Sequence, residues 1–176
     1  MITYQFHNKV PRFAPTARTA QTAVVAGEVT IGERVGLWHG AVLRGDHTSI
    51  TVGDGSNVQD NAVVHVGVGY PTAIGKNVTI GHGCIIHGCT VEDDCVIGMG
   101  SILLNDCVIG EGCLVAAGSL VTQGKVIPPH SLVMGSPAKV IRALTAEELQ
   151  GNLESAREYR ELSEMELPVV GGEKAE

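Results

Sequence analysis

With 176 residues and 12 lysines and arginines against 19 aspartates and glutamates, the chain is sized for one domain, and its net charge of -7 disfavours nucleic acid as a partner. Aromatic residues make up only 3% while glycine numbers 23, so the core must be built from Ile, Val, Leu, Ala and Cys in a narrow, repetitive packing. The opening segment MITYQFHNKVPRF lacks an apolar stretch of signal-peptide length, and no run approaches the roughly 18 apolar residues of a membrane span. The expected location is cytoplasmic, away from membranes.

From Val25 onward the sequence repeats every six residues: VAGEVT, IGERVG from Ile31, LWHGAV from Leu37 and LRGDHT from Leu43. After a short insertion units open at Val52, Val58 and Val64, and after a second at Ile74 and Ile80, followed by a five-residue unit, IHGCT, from Ile86. The series then runs unbroken from Val91 and fades beyond Val133. Each unit begins with a large aliphatic residue and usually carries a small one at its fifth position. Six residues read as one short strand plus a corner, so three units close a triangular coil of about 18 residues, stacked on the next at about 4.8 Å. Eighteen units predict about six coils. Cys84, Cys95, Cys107 and Cys113 fall on the inward fifth position and read as small core residues, whereas Cys89 falls elsewhere.

Beyond the coils, Thr145 at an N-cap with Glu148 three residues on starts a helix by a capping box. Leu149, Leu153, Ala156 and Leu162 are expected along its packed side, with an end near Met165. The chain thus divides into a β-helix domain at 1–142, a helix segment at 143–167 and a tail at 168–176 expected to be disordered. The repeat resembles the left-handed β-helix of hexapeptide-repeat proteins over about residues 12 to 142. That hand is implied by the resemblance alone, because parallel crossovers ordinarily favour the right.

The register assigns neighbours to the histidines. Units opening at Leu43, Val64 and Ile86 share a face, so their second residues, Arg44, His65 and His87, point outward one coil apart. His82 is the third residue of a unit on another face, in a column with His39 and Asp60. A neighbouring chain can bring its His82 to a His65/His87 pair if three prisms pack about a threefold axis with unlike faces in contact. Three imidazoles with a position left for water make a catalytic zinc site, although the same ligands accept cobalt or ferrous iron. Asp60 is placed to orient a ligand or a water. His39 is a surface histidine or a proton relay, and His7, His47 and His130 lie outside both columns.

Arg44-Gly45-Asp46, Gln59-Asp60, His65 and the pair His82/His87 within GHGCIIHG resemble the gamma-class carbonic anhydrases. The resemblance implies zinc held by His65, His82 and His87 across a homotrimer interface, and an interfacial ion pair of Arg44 with Asp46. It also implies Gln59 lining the active site beside the metal-bound water, Asp60 paired with an arginine between subunits, and Tyr159 on the helix as an active-site neighbour. The implied reaction is reversible hydration of carbon dioxide to bicarbonate. Some members carry an acidic loop after the first zinc histidine, with a glutamate proposed as proton shuttle; here the interval VGVGYPTA holds no acid, which implies slow, buffer-dependent or absent turnover. Two other functions suit the same architecture: an acyltransferase using an interfacial histidine as general base on an acyl-CoA, and a metal-binding scaffold without turnover.

Overall fold

The corner of each unit carries the local chemistry that bends the chain. In most units the fourth residue adopts the left-handed backbone region and, Arg34 and His130 excepted, is usually a glycine such as Gly40, Gly55, Gly83 and Gly100 or one of Asn61, Asn77, Asp94 and Asp106. These residue types enter that region at least cost, because glycine has no Cβ and the short amides and acids bond locally. In a computed structural model that describes residues 1–170, the corners link short parallel strands into a solenoid of about seven turns with a single C-terminal helix. The first-position aliphatics, among them Leu37, Leu43, Val58, Val64, Ile80, Ile86 and Ile97, are fully buried along the axis. Burying each such side chain contributes about 1.5–3 kcal/mol, which compensates for the scarcity of aromatic rings.

The expected six coils are seven, because the count began at Val25 and missed the opening turn. Arg12–Phe13 pairs with Thr30 and Ile31, and Arg18–Thr19 pairs with Gly36–Leu37. Ala17 and Ala23 fill the inward sites there, without the aliphatic spacing that marks later coils. Cys89 also departs from expectation: it is buried like the other four cysteines. The short unit Ile86–Thr90 places its left-handed residue, Gly88, one position early, so Cys89 inherits the inward site and stacks on Cys107.

The helix, α1 (Ala146–Glu166), begins with the expected capping box, Thr145 accepting from Glu148 N–H and the Glu148 carboxylate accepting from Thr145 N–H. It lies across the face formed by Arg18–Thr19, Gly36–Leu37, Asn57–Val58 and Thr79–Ile80. Its buried residues are Asn152, Ala156 and Ser163, while Leu153 and Leu162 are exposed. The expected leucine face is therefore corrected. Small residues let the helix approach the coil backbone, and Asn152 donates to the carbonyls of Gly112 and Cys113 at 3.1 and 3.3 Å. The chain then returns to the first coil: Pro168 C=O accepts from Thr19 N–H at 3.1 Å and Val169 bridges Arg18. Disorder was expected from Pro168, but residues 168–170 are paired; the rest of that tail, 171–176, lies outside the described residues. Among the described residues no helix is long and apolar enough to cross a membrane.

Candidate metal centre

Parallel pairing brings Arg44 opposite His65 and His65 opposite His87, which is the predicted column. The two imidazoles meet directly, His65 Nδ1 lying 3.0 Å from His87 Nε2. Their other nitrogens face acceptors. His65 Nε2 donates to Asp46 Oδ1 at 3.0 Å and His87 Nδ1 donates to Asn105 Oδ1 at 2.6 Å. With Asp46 and Asn105 Oδ1 as acceptors the protons lie outward, a tautomer assignment in which two lone pairs face each other. A neutral pair in that state repels and calls for a shared cation. The 3.0 Å separation is close to the about 3.4 Å expected of two nitrogens each about 2.0–2.1 Å from one tetrahedral zinc.

The electrostatics favour an unprotonated His65. Burial and then the Arg44 guanidinium lower the His65 pKa, more than its bond to Asp46 raises it, so the contact with Asp46 is a hydrogen bond rather than an ion pair. Burial pushes the Asp46 carboxyl up, but the His47 backbone N–H, His65 and Arg44 outweigh it and hold it below the ordinary value. Arg44 and Asp46 are in direct contact within one chain. Thr72 supports the column from the side, donating its hydroxyl to the His65 carbonyl and accepting from Gly88 N–H.

His82 stands apart, at a corner in the column His39, Asp60, His82. Asn61 N–H donates to the His39 carbonyl and Gly83 N–H to the Asp60 carbonyl, which fixes the one-coil steps. The His82 ring is gripped on both sides, Nδ1 by Asp60 Oδ2 at 2.9 Å and Nε2 by the Tyr159 hydroxyl at 3.2 Å. A carboxylate on the far nitrogen is the usual support of a metal-ligating histidine. Tyr159 is in turn seated edge-on against Trp38 at 5.5 Å. Gln59 is buried on the same side and donates to Asn57 Oδ1 at 3.2 Å; no hydrogen bond among the described residues joins it to a histidine. Within a single chain no three metal-binding side chains converge among the described residues. The donor set fits zinc as a pair plus a third ligand from another face.

Asn105 and the Asp46–His65 bond were not anticipated. Asn105 is the third residue of its unit, and only the missing residue in Ile86–Thr90 brings it beside the second residue of the coil before. That irregularity was the available signal.

Comparison with known proteins places this geometry. A family model described as bacterial transferase hexapeptide (six repeats) matches residues 88–123. A Methanocaldococcus jannaschii protein named "Probable carbonic anhydrase" is 56% identical over 147 residues, covering 84% of this chain and 92% of that one. The Arabidopsis thaliana protein "Gamma carbonic anhydrase 2, mitochondrial" is 46% identical over 164 residues, or 90% of this chain, which spans 59% of that relative's length. The chain belongs to the gamma-class carbonic anhydrase family. Other members of the hexapeptide fold carry transferase names. The crystal structure of a hexapeptide transferase family protein from Anaplasma phagocytophilum is 44% identical, with a TM-score of 0.90 over 93% of this chain and 97% of that one. The carbonic anhydrase family and the transferase-named protein thus share this backbone, so the side chains of the two columns must carry the functional argument.

Proposed function

We propose that this protein catalyses the reversible hydration of carbon dioxide to bicarbonate at a zinc site between subunits of a homotrimer, with His65 and His87 from one chain and His82 from the next. The observation that carries the reading is the His65–His87 pair, whose inward lone pairs lie 3.0 Å apart while a third, carboxylate-supported histidine waits on an adjoining face. The family relationship supports the reaction. Exposed apolar side chains support the assembly: Val63 and Ile85 flank His65 and His87 on their strands, and Met99 lies one coil past His82. Such residues beside polar ligands suit a heterologous contact that closes into a ring.

Zinc bound there would acidify a coordinated water to a pKa of about 7 and so supply a nucleophile at neutral pH. The chain's own residues do the rest. Asp46 and Asn105 hold the His65 and His87 rings in the ligating tautomers, and the His47 backbone N–H, His65 and then Arg44 keep Asp46 ionised. Asp60 holds His82 through Nδ1, and the Tyr159 hydroxyl would have to yield Nε2 to the metal. Gln59 has a carbonyl oxygen that no hydrogen bond among the described residues engages, which suits it to accept the O–H of bicarbonate.

Acyl transfer from an acyl-CoA is the second reading, favoured by the transferase name of the Anaplasma protein. It needs one histidine as base and gives no reason for two imidazoles to face each other. Stopped-flow carbon dioxide hydration on trimer with quantified metal, wild type against His87→Ala, tests the choice. A zinc-dependent rate lost in the variant is expected. Stoichiometric zinc without any rate would overturn the carbonic anhydrase reading in favour of a scaffold or a transferase, and acyl-CoA turnover separates those two.

A further inference from the structure

Each bicarbonate formed from carbon dioxide and water releases one proton, and sustained turnover needs a base that carries it to solvent. The carboxylate beside His65, Asp46, is already taken up by Arg44, His65 and the His47 N–H, and residues 66–73 contain no acid. A cavity adjoins the residues that hold His82. It measures about 540 Å³, lies between the first coils and the end of α1 and is lined by Thr22, Trp38, His39, Asp60, Tyr159 and Glu166. Its inner wall includes Asp60 and Tyr159, the two residues that hold His82.

We propose that His39 is the proton-transfer residue of this site, receiving the proton through water in that cavity and passing it to buffer; the inference rests on the carbon dioxide reading. His39 stands one coil before Asp60, whose Oδ1 accepts from the His39 backbone N–H at 3.2 Å while Oδ2 holds His82. Its side chain is exposed, so the cavity leads from the His82 column to solvent at this ring. Thr22 Oγ1 lies 3.3 Å from His39 Nδ1 and already accepts from Gly40 N–H at 3.1 Å. Its second lone pair is open to the Nδ1–H, and in that tautomer Nε2 is bare, with no hydrogen bond among the described residues engaging it. In the step, an O–H bond of the attacking water breaks, intervening waters relay the proton, and an N–H bond forms at Nε2 to give imidazolium. A buffer base then removes that proton and restores the neutral ring.

The other titratable groups lining the cavity are less suited. Asp60 is committed to two hydrogen bonds, and Tyr159 is kept in its neutral form by burial, by Asp60 and by Glu158, all of which raise its pKa. Glu166, at the far end of α1, is the remaining group and makes no hydrogen bond or ion pair with the His82 column among the described residues. Histidine is the side chain whose unperturbed charge change falls between pH 5 and 8, as a relay at neutral pH requires.

The test is oxygen-18 exchange between carbon dioxide and water on the zinc-loaded trimer, which yields separately the rate of interconversion and the rate of proton-dependent release of labelled water. His39→Ala should leave interconversion within about twofold and slow water release about tenfold, with imidazole buffer restoring it. Water release unchanged in the variant overturns the proposal. Interconversion absent even from wild type would instead defeat the carbon dioxide reading, and the relay with it. Independently of turnover, the His39 ring in the metal-free trimer should be carbethoxylated by diethyl pyrocarbonate, the adduct being absent from His39→Ala, as its exposed side chain requires. A ring that resists the reagent is closed off from solvent and removes the relay.

Discussion

His65 and His87 sit on strands whose partners before and after them are hydrogen-bonded coil to coil, whereas His82 sits at a corner and is aimed by side chains, Asp60 from the preceding coil and Tyr159 from α1. The first column is positioned by backbone register and inherits the rigidity of the solenoid. The second depends on a helix that docks through a few small residues. One half of the site should therefore survive damage to the helix and the other should not.

The largest effect should come from removing a ligand on the rigid side. His87→Ala is expected to lower zinc affinity by more than about a hundredfold while leaving the far-ultraviolet circular dichroism of the solenoid intact; metal analysis after gel filtration checks both. Asn105→Ala removes only the acceptor that sets the His87 tautomer, so a loss of about 10–100-fold in metal affinity is expected, and full occupancy at equal free zinc would count against the tautomer argument. On the helix-dependent side, a Cβ at Gly36 would stand 3.0 Å from the Ser163 Cβ, so Gly36→Val should push α1 outward at a cost of about 1–3 kcal/mol. Trp38, packed on Tyr159, reports that movement by its fluorescence, and metal binding at the His65–His87 pair should persist as the His82 contribution weakens.

Smaller effects mark the start of the helix. Thr145→Ala should cost about 1 kcal/mol in urea melts by deleting the cap. The partner carboxylate sets a pH window. Arg142, then the Thr145 N–H, hold the half-buried Glu148 carboxyl down to about 2, below the ordinary 4.5. Its contribution is therefore complete above about pH 4.5 and fades as pH falls toward 2, because the unfolded chain binds the proton first. Helical signal should fray across that interval in wild type, and Glu148→Gln should flatten the dependence.

Much of this was legible in the chain itself. The six-residue spacing located the strands, the inward residues and both histidine columns, because stacking by one coil is a counting rule that side chains cannot override. The opening turn was missed because its inward sites are Ala17 and Ala23, too small to mark a period. Cys89 and Asn105 were misplaced or overlooked for one reason: the five-residue unit shifts everything after Gly88 by a position relative to the coil before it. The packed side of α1 was misjudged because leucines were expected to do the packing, whereas a flat wall of backbone carbonyls is better approached by Asn152, Ala156 and Ser163.

The corners formed by the left-handed fourth residues also act as a ruler. Because every face repeats at the inter-strand spacing of about 4.8 Å, a functional group can be moved along the axis only in whole steps of that size. A solenoid cannot slide one ligand by half an ångström to suit a different ion, as a loop can. Adjustment is left to what lies sideways of the column: the length of a unit, as at Ile86–Thr90, or a residue such as Asn105 that turns a ring without moving its strand.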